Sequence, residues 1–407
     1  MEIQVHTLPN GIRLVHSFVA AKVAHCGVFI NAGTRDETPS QHGIAHFIEH
    51  VIFKGTETRN VFQVLNRLEN VGADLNAYTT KEETCIYATF LPVYYQRTLE
   101  LISDILFHST FPEKEINKEK DVVIDEIKSY QDTPGEQIFD DFEDLVFEGH
   151  PLGKNILGTP KNVKRFKGED LRKFILKNYH SDQIVISSVG NITMKKLVAL
   201  VERYFTEVPA NRRKSERTPF SEYHPVNKLQ KRKIFQSHCI IGAPAYSMTD
   251  PKRYVLAFLN NILGGPILNS RLSIALRERN GITYHIESNF IPYSDSGIFS
   301  VYFGTNREMV EKAFMLVRKE IDKLRQQPLG SHQLKIAKQQ LIGQVTIAQE
   351  SKLNQMLAIG KSYLVMDQYT GLEETIRIIE NITSNQLMEA ANEILSPERL
   401  SSLIFQS

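Results

Sequence analysis

The sequence contains no tryptophan and only three cysteines in 407 residues, Cys26, Cys85 and Cys239. An odd number of cysteines at no metal-ligand spacing excludes a disulfide scaffold and a cysteine-based zinc site. Cys26 and Cys85 sit in apolar, strand-like stretches and read as small buried thiols. An excess of charge of one sign is also missing: 48 Lys and Arg stand against 47 Asp and Glu, a net charge of +1. That excludes the basic field of a nucleic-acid binder and any acidic tail. No run approaches the ~18 consecutive apolar residues of a membrane helix. The N-terminal MEIQVHTLPNGIRLVHSF has no basic segment followed by an apolar one and is not Arg-rich, so it reads as neither signal nor transit peptide. The expectation is a cytoplasmic protein with no nucleic-acid or membrane partner.

The chain is 42% hydrophobic and 23% charged, ordinary for a globular protein, and its length predicts two to three domains. Residues 1 to about 90 read as strand, strand, helix, helix, strand. Pro9-Asn10-Gly11 is a turn signal ahead of a strand to Phe18. Val23 to Asn31 is a buried strand, and Gln41 to Phe53 has helical spacing, with Ile44, Phe47, Ile48, Val51 and Ile52 on one side and Ser40 as N-cap. Lys54-Gly55 ends that helix. Val61 to Val71 is a second helix closed by Gly72, and Asp74 to Leu91 reads as a strand pair. Residues 94 to 131 look helical, and Asp182 to Val189 is a further strand. This order predicts an α+β fold of layered domains, each a largely antiparallel sheet with helices packed on one face.

Residues 209 to 233, PANRRKSERTPFSEYHPVNKLQKRK, are dense in Pro, Ser and basic residues and read as a solvated linker. Domains are therefore expected at 1–212 and 233–407, with a linker at 213–232. The second half restarts the first. His25-Cys26-Gly27-Val28 is echoed by His238-Cys239-Ile240-Ile241, and Ala45 to Gly55 by Ala257 to Gly265. At that offset His46 falls on Phe258, Glu49 on Asn261 and His50 on Ile262, so the second copy keeps the fold and lacks the first copy's polar residues.

Those polar residues carry the chemistry. In His46-Phe47-Ile48-Glu49-His50 two imidazoles lie four apart, one above the other on a helix face, and can hold one metal ion together. Glu49 stays near that face, where it can handle the proton of an activated water. The order H-x-x-E-H is the inverzincin signature. Catalytic zinc takes three protein ligands and keeps a position open. Glu126 is the best third candidate. It shares a face with Glu119, beside an apolar stripe of Val122, Val123 and Ile127. Taken alone, the two glutamates read as solvated residues on an exposed helix.

Together these segments resemble the pitrilysin-type inverzincin family of zinc metallopeptidases, which includes insulin-degrading enzyme and mitochondrial processing peptidase. The resemblance rests on His46 to His50 with Val51-Ile52-Phe53-Lys54-Gly55-Thr56, on Asn31 to Glu37, on Leu75 to Thr80 with Glu83-Thr84, on Val122 to Ile127, on His150 to Gly153, on Ile156 to Thr159 and on Leu276 to Tyr284. It implies His46, His50 and Glu126 as ligands of one Zn2+ per chain, Glu49 as catalytic base and Glu119 as a supporting acid. It implies a substrate-binding edge strand at Asn76, Ala77 and Thr79, and an Arg277 and Tyr284 pair that binds the scissile carbonyl. Alone, those last two read as a helix-end arginine and a strand tyrosine. Family members built from four such domains close as a clamshell; this chain has length for two, half of one. The resemblance therefore implies a homodimer with composite active sites, or a heterodimer, acting on short or unfolded peptides. The rival is a catalytically silent or partner-dependent peptide-binding subunit.

Overall fold

The computed structural model describes residues 2–214 and 216–406. Ser215, inside the expected linker, and the terminal Met1 and Ser407 lie outside the described residues. The first half runs β1 (Gln4–Thr7), β2 (Arg13–Phe18), β3 (Ala24–Ile30), α1 (Ile44–Val51), α2 (Val61–Glu69), β4 (Asp74–Thr79), β5 (Thr84–Phe90), α3 (Tyr95–Phe107), α4 (Glu113–Gln131), α5 (Pro134–Val146), α6 (Pro160–Val163), α7 (Gly168–Asn178), β6 (Ile184–Gly190) and α8 (Met194–Phe205). The second half runs β7 (Asn227–Lys231), β8 (Ser237–Pro244), α9 (Arg253–Gly264), a π-helical turn (Ser273–Glu278), β9 (Ile286–Pro292), β10 (Gly297–Thr305), α10 (Val310–Gln326), α11 (Ser331–Ala348), α12 (Lys352–Met366), α13 (Leu372–Asn381), α14 (Ser384–Ile394) and β11 (Ser401–Gln406). The expected helical stretch 94–131 is two helices. Phe111, at φ +50, turns the chain just before Pro112.

Two sheets form, ordered β1-β2-β6-β3-β5-β4 and β7-β11-β8-β10-β9. With β1 set aside the orders match strand for strand, β3 on β8 and β6 on β11. The parallel pairs also match: β2 with β6 and β7 with β11, every other pair being antiparallel. The α+β class and the internal duplication both stand. All three cysteines are buried, and burial pushes the Cys26 and Cys239 thiols up to about 12.

The compact units are not consecutive halves of the chain. One comprises Met1–Lys128, Lys154–Arg217 and Ala348–Tyr369; the other Ser129–Gly153, Thr218–Ile347 and Thr370–Ser407. In the first unit, Cys26, Val28 and Ile30 of β3 share one core with Ile44, Phe47 and Ile48 of α1 and Leu99 and Ile102 of α3. The opposite sheet face puts Phe29 and Val185 against Met356 and Ile359 of α12. Gly360 sets that approach: a Cβ there would fall 2.1 Å from the Phe29 ring. In the second unit, α5 plays the same part, placing Ile138 and Phe142 against Ile240, Leu403 and Phe405. Each sheet thus takes one covering helix from the other half of the sequence. The expected borders at 212 and 233 miss this, because an amphipathic helix's apolar stripe does not name the sheet it will cover.

The expected solvated linker is also partly fixed. Arg213 and Arg217 form ion pairs with the buried Asp36, and the segment's last residues form β7.

Candidate active site

Helix α1 is held by Ile44, Phe47, Ile48 and Val51, all essentially inaccessible, with Ile52 just beyond it. Its start differs from the expected Ser40 cap. Ser40 lies in a short 3-10 turn, Pro39–Gln41, and the N-cap is Gly43 at φ +95. Gly43 has no side chain to cap with. The Glu37 carboxylate does this work instead, accepting from the Gly43 amide at 2.8 Å and the Ala45 amide at 2.9 Å. Its two oxygens satisfy two orphan donors of the helix. Burial pushes the Glu37 carboxyl up to about 8, opposed by those amide bonds.

On the next turns His46, His50 and Glu126 of α4 come together. His46 Nε2 lies 3.7 Å and His50 Nε2 3.3 Å from Glu126 Oε2, and one donor atom from each of the three falls within 4.8 Å of the others. Around a tetrahedral ion with bonds of about 2.0–2.2 Å, donor atoms sit about 3.3–3.6 Å apart; the two imidazole–carboxylate separations come close to that, and two imidazoles with a carboxylate suit zinc in chemistry. His46 is 7% exposed, and its Nδ1 is buried with no hydrogen-bond partner. Burial first, and the His50 charge second, hold its pKa down to about 4, so the ring is neutral at pH 7 and able to ligate.

Glu119 lies two turns before Glu126 on the same face of α4, 9% exposed. One of its oxygens is 3.3 Å from His50 Nδ1 and the other 2.6 Å from Lys54 Nζ. It therefore grips the His50 nitrogen that faces away from Glu126, which fixes ring and tautomer as metal-ligating histidines require. Lys54 is the residue that sequence reasoning missed. In the sequence it marks only a helix end, although it lies four positions after His50. The apolar stripe of α4 also differs from expectation. Val122 is 51% exposed, and Ile116, Val123, Ile124 and Ile127 form the buried face.

Burial raises the Glu49 pKa, and the Glu126 charge adds to this, against the His50 charge and the nearby Thr79 dipoles. Thr79, whose Oγ1 is buried, is the neighbour whose hydrogen-bonding groups favour the charged form of Glu49. Thr79 closes β4, which among the described residues pairs only with β5 and leaves its other edge open. The Thr80 amide bonds to the Glu83 carbonyl at 2.8 Å across the two-residue Lys81-Glu82 turn. Antiparallel alternation from that pair turns the amides and carbonyls of Ala77 and Thr79 toward the open edge. Asn76 turns its backbone to β5 and offers only an exposed side chain.

Arg277 and Tyr284 belong to the other unit. Arg277 is in the π-helical turn, its Nε bonded to Glu278 at 2.8 Å. Tyr284 is not in a strand. It sits two residues before β9, 93% exposed, while Thr283 beside it is tied to the His285 and Gly304 carbonyls. The second copy of the metal helix, α9, has Phe258, Asn261 and Ile262 at the matching places, with Phe258 and Asn261 buried.

Residues 15–160 match the family described as Insulinase (Peptidase family M16), and residues 165–341 match the Peptidase M16 inactive domain. A Bacillus subtilis protein, uncharacterized zinc protease YmxG, is 32% identical over 406 residues, covering 100% of this chain and 98% of its own. An uncharacterized zinc protease of Rickettsia bellii is 32% identical over 403 residues, covering 98% and 97%. The crystal structure of a protease from Helicobacter pylori superposes with a TM-score of 0.93 at 19% identity, over 100% of both chains. That of a peptidase M16 inactive domain from Pseudomonas fluorescens gives 0.91 at 20%, again over 100% of both. At those identities the solved structures speak for the fold alone. With relatives above 30% identity along its full length, the chain belongs to the M16 peptidase family, in its short two-domain form.

Proposed function

We propose that this chain is a zinc-dependent endopeptidase acting on short or unfolded peptides. The observation that carries the reading is the convergence of His46 Nε2, His50 Nε2 and Glu126 Oε2 beside the half-buried Glu49, whose pKa is raised. His46, His50 and Glu126 would hold one zinc per chain, with Glu119 and Lys54 fixing His50. When bound, zinc supplies Lewis acidity that polarises a carbonyl and eases deprotonation of water. Glu49 takes a proton from the attacking water and returns it to the leaving amine. A carboxyl shifted toward neutrality suits a group that must do both. The open edge of β4, through Ala77 and Thr79 and the Asn76 side chain, would pair with an extended peptide. Such strand addition binds many sequences through backbone hydrogen bonds.

The reading extends to a dimer in which Arg277 and Tyr284 of a second copy bind the scissile carbonyl and stabilise its developing charge. The high exposure of Tyr284 supports this, since a phenol on a tied-down loop is available to a partner. Against the silent-subunit reading stand His46, Glu49, His50 and Glu126, all present. Cleavage of a quenched peptide should be lost on chelation and return with one equivalent of zinc. Mixing inactive Glu49→Gln chains with inactive Tyr284→Phe chains should recover part of the activity, because one of the two composite sites is then intact. Zinc binding with no cleavage of a diverse peptide set would favour the silent subunit. No recovery on mixing would remove the shared site.

A further inference from the structure

We infer that Arg217, seconded by Arg213, is a positioning residue of the peptidase site, holding in one frame the loop that seats α1 and the hairpin that carries β4. The inference rests on the peptidase reading above.

Three segments meet at the Arg217 guanidinium. It grips Asp36 with a two-point fork, Nε to Oδ1 at 3.0 Å and Nη2 to Oδ2 at 2.7 Å. Its Nη2 also donates to the Glu82 carbonyl at 2.7 Å, in the turn between β4 and β5, and to the Asn31 carbonyl at 3.3 Å, just past β3. Arg213 pairs with the same Asp36 and donates to the same Asn31 carbonyl at 3.0 Å. Burial alone would push the Asp36 carboxyl up; the Arg217 hydrogen bonds, with both arginine charges, hold it down instead.

The next residue after Asp36 is Glu37, whose carboxylate seats the first amides of α1. The same loop is laced to the hairpin turn by its backbone: Thr34 amide to Thr80 carbonyl at 3.2 Å and Arg35 amide to Lys81 carbonyl at 2.7 Å. A Cβ on Gly33 would lie 2.5 Å from the Thr80 carbonyl oxygen, so the two backbones touch. Helix α1 carries the ligands and Glu49, and β4 carries the substrate edge. Their separation sets the reaction geometry, and one planar guanidinium fastens both walls. A lysine ammonium cannot reproduce a fork to Asp36 and a bond to Glu82 together. Arg217 is also the last residue of its segment in this unit, so the chain leaves the unit at the fastener itself.

The test uses the full chain with Arg217→Ala, Arg217→Lys and, as a control for simple destabilisation, Arg13→Ala. Arg13 forms an ion pair with Asp367 in the same unit and touches none of the three segments. Zinc affinity is read by chelator competition, KM and kcat on a quenched peptide, and thermal stability on metal-free protein. Arg217→Ala should bind zinc about 10-fold more weakly and show a raised KM, the scale seen when support behind a metal ligand is lost. Methylguanidinium should restore part of both at matched ionic strength, and ammonium should not. Arg217→Lys, which keeps the charge, should stay impaired and covers the case in which the alanine variant does not fold. Arg13→Ala should lose stability without losing zinc affinity. Wild-type zinc affinity and KM in a folded Arg217 variant would overturn the inference. So would an equal zinc loss in Arg13→Ala, or rescue by ammonium as good as by methylguanidinium. If the wild-type chain neither holds zinc nor cleaves peptide, it is the peptidase reading that fails.

Discussion

Helices α1 and α9 occupy matching places against matching sheets, yet one carries two histidines and a glutamate and the other is packing. His46, Glu49 and His50 of α1 stand where α9 has Phe258, Asn261 and Ile262. The contrast extends to the second helix after each hairpin, α4 and α11. α4 carries Glu119 and Glu126, while α11, SHQLKIAKQQLIGQVTIA, has no acidic residue. The second copy therefore lacks the carboxylate side of the site as well as the imidazole side. The scaffold does not need these groups. In the first copy the burial of His46 and Glu119 opposes folding, a cost that a function for the site would offset.

Grafting one copy onto the other breaks the comparison most severely. Phe258→His, Asn261→Glu and Ile262→His together should cost about 3–5 kcal/mol, since a buried phenyl is replaced and charge is placed in a core. No second zinc should bind, because the matching helix α11 carries no carboxylate; the glutamates of α13 and α14, which pack on α9, are the groups that could supply one. Urea denaturation and metal content measure both, and two zinc ions per chain would refute the need for an α4-type partner.

A smaller change sharpens the comparison within the first copy. Glu119→Gln should weaken zinc binding about 10–100-fold, the usual consequence of losing the group behind a ligating histidine. An unchanged affinity would reduce Glu119 to a partner of Lys54.

A pH-dependent effect concerns the Glu37 contacts that seat α1. The Glu37 pKa is raised in the folded chain from 4.5 to about 8. The folded state therefore holds this proton where the unfolded state releases it. The contribution to stability is full below about pH 4.5 and is lost as pH rises through about 8. Metal-free protein should lose up to ~1.4 kcal/mol per pH unit across that window from this group. Glu37→Gln should flatten the slope, and an identical slope in the variant would assign it elsewhere.

Much of this was legible in the sequence. The apolar period of α1 and the strand patterns are local, and His46, His50 and Glu126 were nameable before any coordinates. The α+β class followed from the order of elements. What was not legible depends on long-range placement. Glu37 reaches α1 from outside any local capping motif, so Ser40 was the natural but wrong choice. Arg213 and Arg217 read as solvated because nothing in their neighbourhood reveals Asp36, some 180 residues earlier. The exchange of α5 and α12 between units was hidden for the same reason, since only the sheet they cover distinguishes them from other amphipathic helices.

The most direct test of the central claim is zinc content and peptide cleavage measured side by side on wild type and Glu49→Gln. Wild type should hold one zinc per chain and cleave; Glu49→Gln should hold the same zinc and lose cleavage by at least ~100-fold, as removal of a general base requires. A Glu49→Gln chain that cleaves like wild type, or a wild type that cleaves without zinc, would contradict the account.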